Sequence, residues 1–172
     1  LPNKSERDHG TEWQGELVFF YERFTKKEAV MYKTILVPVD IEEDELTKNA
    51  LIHVVKLAKV SDATVHLFHA LPDASAFLSA YSFGIKEFEN EAVVKANDRL
   101  KALIKTIDLP ASRLSFSVSF GTPRDEVLQL AQEINADLIV VGSRRPDVKT
   151  YLLGSNAAAI VRHAKTSVLV VR

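Results

Sequence analysis

The stretch GSRRPDVKTYLLGSNAAA, residues 142–159, holds two of the six glycines in the chain, each next to a serine. A glycine lets a ligand or a second backbone approach closely. A serine entering an alanine-rich run marks a helix start. The free N–H groups and partial positive charge there favour an anion such as phosphate. The Ser155 hydroxyl can cap that helix or donate to a phosphate oxygen. A surface loop followed by a capped helix would use the same residues, so the segment supports both readings.

Two further residues have chemistry to offer. Asp40 closes the run TILVPVD. An ionised carboxylate only accepts hydrogen bonds, so Asp40 suits ribose hydroxyls or a metal, and equally a turn or a helix-start charge. His69 closes the run ATVHLFHA. A histidine there is either packed and hydrogen-bonded or catalytic. Other chemistries find no support. There is no G-x-x-x-x-G-K-[ST] loop, no G-x-G-x-x-G turn and no G-x-S-x-G elbow. His9, His53, His66, His69 and His163 are not spaced as a ligand cluster, so no metal site is assigned. Glu42, Glu43, Asp44 and Glu45 read as a solvated loop and helix start. No nucleophile or general base stands out, so no catalytic residue is assigned and any hydrolysis is expected to be slow.

The elements that would position these residues alternate along the chain. TILVPV is a short β-branched run of the kind found in fully buried strands. Leu46, Ala50, Leu51, Val54, Leu57 and Ala58 then share one face of a helix predicted over Asp44–Val60. ATVHLFHA is the second strand. Leu71–Lys86 has no clear period and is long for a connection, so it is expected to fold over the site or to join a subunit contact. A second helix is predicted over Glu87–Ile107, with Phe88, Ala92, Ala96, Leu100, Leu103 and Ile107 on its buried stripe. RLSFSVSF is strand three. In GTPRDEVLQLAQEI, Thr122 is an N-cap, Pro123 suits the first helical position, and Asp125 and Glu126 oppose the dipole. ADLIVVG is strand four, Ser155 caps a fourth helix reaching His163, and TSVLVV is strand five.

This order predicts an α/β fold, an open five-stranded parallel sheet with helices on both faces. Ligands of such sheets bind beyond the carboxyl ends of the strands, where the strand order reverses. The ends of strands one, two and four therefore make the predicted site.

Composition narrows the partners. The 172 residues suit one domain, and 47% are hydrophobic, enough for a sizeable core. Lys and Arg number 22 against 23 for Asp and Glu, and this balance argues against a nucleic-acid binder. There is no cysteine, which fits a reducing, cytoplasmic setting. No apolar run approaches the ~20 residues of a membrane helix. Residues 1–30 carry mixed charge and only the short apolar run LVFF. They are expected to be a leader or extension outside a domain that starts near Met31. Strand five is apolar and is expected at a sheet edge, where pairing with its own copy would make a homodimer through residues 167–171.

TILVPVD, DLIVVGSR and LLGSNAAAIVRHAKTSVLVV together resemble the universal stress protein family over residues 31–172, closest to its F-type branch of small bacterial members. The resemblance implies a Rossmann-like, adenine nucleotide alpha hydrolase-like fold with strand order 3-2-1-4-5. It also implies a homodimer that binds ATP or another adenine nucleotide, and it leaves open an accompanying Mg ion. The family's ATP-binding members carry G-x2-G-x9-G-[ST]. Gly142 matches the first glycine, and Gly154 and Ser155 match the last pair. Arg145 stands at the second glycine, and the segment is one residue shorter than the pattern. An arginine there either narrows the phosphate pocket or binds phosphate directly. By the resemblance, Pro38, Val39, Asp40 and Ala70 surround adenine and ribose, and Val141 and Gly142 face the ribose. Arg144, Arg145, Gly154, Ser155, Asn156 and Ala157 approach the phosphates.

Three other readings compete with a nucleotide binder. A phospho-receiver needs an aspartate after strand three, where SVSFGTP has none. An ATP-cleaving enzyme lacks a visible base. A ligand-free interaction protein of the same fold is compatible with Arg145.

Overall fold

The computed structural model describes residues 31–73, 85–143 and 154–172. Strand β1 is Thr34–Pro38, followed by helix α1, Asp44–Ser61, and strand β2, Thr64–Leu71. Helix α2 is Ile85–Ile104 and leads through a 3-10 turn, Ala111–Arg113, into β3, Leu114–Phe120. Helix α3, Pro123–Glu133, strand β4, Leu138–Gly142, helix α4, Ser155–His163, and strand β5, Ser167–Val171, complete the described elements. The five strands lie in the order β3-β2-β1-β4-β5, and every pairing is parallel. The expected fold class and strand order are observed.

Alternation along β1 shows why both faces need helices. Ile35 and Val37 face one side, Leu36 faces the other, and all three are fully buried. The first side packs Val65, Leu67, Leu138 and Val140 against Ala50, Leu51, Val54 and Ala58 of α1 and Leu100 of α2. The second side packs Phe68, Ile139 and Val141 against Val127 and Ala131 of α3 and Ala157 and Ile160 of α4. Each large side chain fully buried in this way contributes about 1.5–3 kcal/mol. The apolar period of α1 thus does what the sequence predicts. Residues Tyr32–Arg172 form a single compact unit.

Three sequence expectations need correction. Helix α2 ends at Ile104, not Ile107. Ile107 is still buried, in the chain beyond the helix, and packs into the core from there. Phe88 is not on the buried stripe. It is 62% exposed, in the first turn of α2. Ser155 is not the cap of α4 but its first residue; Gly154 holds the cap position, and no side chain caps the helix. Thr122 does sit at the N-cap of α3, but its hydroxyl donates to the Asp125 carboxylate at 3.0 Å rather than accepting from the backbone. Most of the segment Leu71–Lys86, all of residues 1–30, and Arg144 and Arg145 lie outside the described residues.

Candidate functional site

β1 and β4 are neighbours at the centre of the sheet, and their following connections leave toward opposite faces. A crevice therefore opens above their carboxyl ends. It is a cavity of about 1070 Å³, the scale of small-molecule sites.

The structure brings to this cavity every sequence-assigned residue that it describes. Pro38, Val39 and Asp40 line it from the end of β1, and Ala70 from the end of β2. Val141 and Gly142 line it from β4, and Gly154, Ser155, Asn156 and Ala157 from the start of α4.

Local hydrogen bonding sets what each can offer. The Val39 N–H donates to Phe68 O at 2.8 Å, and Val39 O accepts from His69 Nδ1 at 2.9 Å. The backbone N–H and C=O of Val39 are both engaged, so Val39 meets a ligand mainly through its side chain. His69 is thus a hydrogen-bonded strand-end histidine, the plainer of its two readings. Asp40 is exposed and does serve as a turn residue: its Oδ1 accepts from the Glu42 N–H at 3.0 Å. Its carbonyl accepts from the Glu43 N–H at 3.1 Å and the Thr47 hydroxyl at 3.3 Å. Its Oδ2 remains as an acceptor at the cavity edge.

The two glycines play different parts. A Cβ at Gly142 would sit 3.3 Å from the carbonyl oxygen of Leu46 in the first turn of α1. Glycine at 142 thus eases the close approach of a second backbone. A Cβ at Gly154 would meet nothing within 4 Å, and its φ of −53° suits any residue. Within the described residues nothing demands glycine at 154, and its effect is to leave room.

Helix termini differ in the same way. The first turn of α3 carries Asp125 and Glu126 against its dipole. The first turn of α4 has no acidic residue and no capping side chain, and it opens on the cavity. Among the described residues of that turn, no acidic side chain offsets the partial positive charge of the α4 N-terminus.

Several lining residues were not foreseen. Glu42, Leu46 and Thr47 come from the turn and start of α1, and Phe88, Ala92 and Lys95 from one face of α2. Lys95 Nζ lies 3.5 Å from Glu42 Oε1, an exposed pair that joins these two walls. Ser143 also lines the cavity. The positions 88, 92 and 95 show the i, i+4, i+7 spacing that marks a shared face, but the sequence does not say which side of the cavity that face meets. Groups with displaced pKa values sit elsewhere. Burial holds the His66 imidazole below its ordinary value. Hydrogen bonding to Arg124, and then to Thr122, holds Asp125 low, and the Lys59 hydrogen bond holds Asp108 low. Among the described residues, no group of three or more His, Asp or Glu is placed to hold a metal. No described helix is long and apolar enough to cross a membrane.

Comparison with known proteins agrees with this architecture. The model of the universal stress protein family matches residues 31–172. Universal stress protein G of Escherichia coli O157:H7 is 44% identical over 143 residues, covering 83% of this chain and all of that relative. The solved structure of universal stress protein UspA from Lactobacillus plantarum superposes with a TM-score of 0.68 at 25% identity, covering 82% of this chain and 98% of that one. A universal stress protein solved in complex with cAMP superposes at 0.54 with 29% identity, covering 82% of this chain and 97% of that one.

Proposed function

Because the chain belongs to the universal stress protein family, we propose that its carboxyl-end cavity binds an adenine nucleotide, and that binding regulates the protein's action in a stress response. One observation carries this reading. Residues from β1, β2, β4 and the start of α4, far apart in sequence, line a single cavity. A relative of the same fold was solved with cAMP, which supports adenine as the base.

The roles follow from the groups available. Apolar Val39, Ala70 and Val141 suit a base and sugar, and Asp40 Oδ2 would accept from ribose hydroxyls. The uncapped N-terminus of α4, with Ser155 and Asn156, suits a phosphate. Arg144 and Arg145 lie in the same β4–α4 connection and would add charge for a longer phosphate chain. ATP, with or without Mg, is thus the finer form of the reading. No nucleophile–base pair is assigned in the cavity, so the reading is one of binding, with slow ATP hydrolysis as its alternative.

Isothermal titration of the full chain with AMP, ATP and adenosine tests the reading. AMP or ATP should bind, and Asp40→Ala should weaken each about tenfold, as expected for lost hydrogen bonds to a charged acceptor. Absence of heat or competition with any adenine nucleotide would refute the proposal.

Assembly is part of the same reading. β5 is an edge strand, and Val168, Leu169 and Val170 are only half-buried. Pairing β5 with its copy would satisfy its outer backbone groups and cover these side chains. Sedimentation of the full chain should then show a dimer. The family match over residues 31–172 supports treating residues 1–30 as lying outside the domain. The absence of cysteine from the sequence fits a cytoplasmic setting.

A further inference from the structure

His66, Ser115 and Ser117 meet on one face of the β2–β3 pair, and none of them lines the cavity. His66 Nδ1 is 2.8 Å from Ser115 Oγ, and Nε2 is 2.8 Å from Ser117 Oγ. Register and alternation bring this about. His66 stands opposite Ser115 across the ladder, and Ser117 is the next residue of β3 on the same face. The helix layer on that face leaves Ser115 exposed, while Ser117 is half-buried.

An imidazole between two hydroxyls has chemistry to offer. The neutral ring carries one N–H and one lone pair, so one serine accepts a hydrogen bond from it and the other donates one. A hydroxyl that donates to an imidazole lone pair is an activated nucleophile, and a partner on the other nitrogen fixes the ring. Partial burial disfavours the imidazolium, so the lone pair is available near neutral pH. Exposure decides which serine is which. A reagent can reach Ser115, so Nδ1 is its base and Ser117 accepts from Nε2–H.

A donor for a developing oxyanion adjoins this group. The Gly121 N–H donates to Leu71 O on β2, and N–H directions alternate along a strand. The N–H groups of Ser115, Ser117 and Ser119 therefore face β2, and that of Phe116 faces outward. β3 is an edge strand of the sheet, so no neighbouring strand of the described residues takes up the Phe116 N–H.

We propose that Ser115 is a nucleophile toward small activated acyl esters, with His66 Nδ1 as its general base, Ser117 holding the ring and the Phe116 N–H donating to the oxyanion. Ser115 Oγ attacks the ester carbonyl carbon as its proton passes to Nδ1. The tetrahedral intermediate expels the alcohol, which takes that proton, and the acyl group stays on Ser115. Water then attacks the acyl-serine and gives a proton to the same nitrogen. The serine oxygen leaves, recovers the proton, and the carboxylic acid is released. With a single backbone donor for the oxyanion, both steps are slow. This activity does not depend on the nucleotide reading.

The full chain incubated with p-nitrophenyl acetate tests it, with nitrophenol release followed by absorbance and the acetylated residue located by peptide mass spectrometry. Wild type should carry its acetyl group on Ser115 in preference to Ser117 and Ser119. Ser115→Ala should lose that modification, and His66→Gln should slow it about 100-fold. Ser117→Ala should slow it less, and Ser117→Thr, which restores a hydroxyl, should recover the rate. Circular dichroism checks that each variant is folded. Acetyl groups confined to lysines, or spread equally over the three serines, would overturn the proposal. So would equal rates of Ser115 acetylation in wild type and folded His66→Gln. If His66→Gln does not fold, the distribution over the three serines in wild type, and its loss in Ser115→Ala, decide the nucleophile on their own.

Discussion

Asp137 and Ser143 stand at the two ends of the same strand, β4, and meet opposite fates. Asp137, just before the strand, accepts from the Lys33 N–H at 2.7 Å and the Thr34 N–H at 3.1 Å, tying the start of β1 to the start of β4. Ser143, just after it, bonds nothing through its side chain. The contrast extends across the sheet. At the amino ends, Thr64 Oγ1 donates to Lys33 O at 3.1 Å and Thr166 Oγ1 to Ala136 O at 2.9 Å. The Arg113 guanidinium donates to Ala63 O at 2.9 Å and to Ala58 O, and pairs with Asp62 at 2.8 Å. At the carboxyl ends, Asp40 keeps one oxygen unused by its turn, α4 is uncapped, and Gly154 faces open space. Polar groups at one end are consumed by folding. At the other end, among the described residues, only part of them is.

The largest effect should come from breaking the stitched end. Arg113 closes the C-terminus of α1, where Asp62 adopts a left-handed φ of 53° and the last carbonyls need donors. Its side chain is 19% exposed, so its bonds are partly shielded from water. Arg113→Ala should lower stability by about 2–4 kcal/mol, the range for removing a buried hydrogen-bonded charge network. Urea unfolding measures this. Nucleotide affinity of the folded variant should stay within twofold of wild type, because Arg113 acts at the end opposite the cavity. A tenfold loss of affinity would show that the two ends are not independent.

A smaller effect separates the two glycines at the open end. Gly142→Ala puts a Cβ 3.3 Å from the Leu46 carbonyl oxygen, so the backbone of α1 has to give way. It should destabilise by about 1–3 kcal/mol. Gly154→Ala meets nothing within 4 Å and should change stability by less than about 0.5 kcal/mol. Its effect should appear instead in nucleotide titration, as weaker binding, because the room it fills is room for the ligand. Loss of stability without loss of affinity at 154 would mean that the glycine serves the fold after all.

How much of this was legible in the sequence depends on how local the signal is. The strand order and the two-sided core followed from short apolar runs alternating with amphipathic stretches, since both faces of a parallel sheet must be covered. The site followed from topology, because a parallel sheet brings its strand ends together. What was missed rests on distance in space. Arg113 reaches a carbonyl 50 positions away, and no local pattern marks it. Phe88 fits the apolar period of α2 but is exposed and lines the cavity instead of the core. Ser143 is an ordinary residue until its lack of a partner is seen. The cap of α4 was misplaced by one residue because glycine and serine both suit that position, and only the backbone angles separate them.

The smallest effect belongs to a residue between the two ends. His66 lies midway along β2, with Nδ1 2.8 Å from Ser115 Oγ and Nε2 2.8 Å from Ser117 Oγ on β3. A neutral imidazole has one donor and one acceptor, and two hydroxyls that rotate freely can match either tautomer. Partial burial disfavours the charged ring and holds its pKa below the ordinary value. The sign of the resulting stability change is then fixed. The unfolded chain binds a proton more readily than the folded one, so stability is full above the unfolded pKa of about 6.5 and falls as pH drops through it. Wild type should melt at a lower temperature near pH 5 than near pH 7.5, and His66→Gln should remove part of that slope while keeping one hydrogen bond. Other groups act in the same direction at lower pH. Asp125, held low by its hydrogen bond to Arg124, and Asp108, held low by that to Lys59, lose their stabilising charge only as pH falls through the carboxylate range. The His66 contribution is therefore the part of the slope seen between about pH 7 and pH 5.5. Because the serine–histidine pairing lies below the cavity and shares no residue with it, nucleotide affinity should have the same pH profile in wild type and His66→Gln. A change in that profile would place a third polar region in communication with the open end.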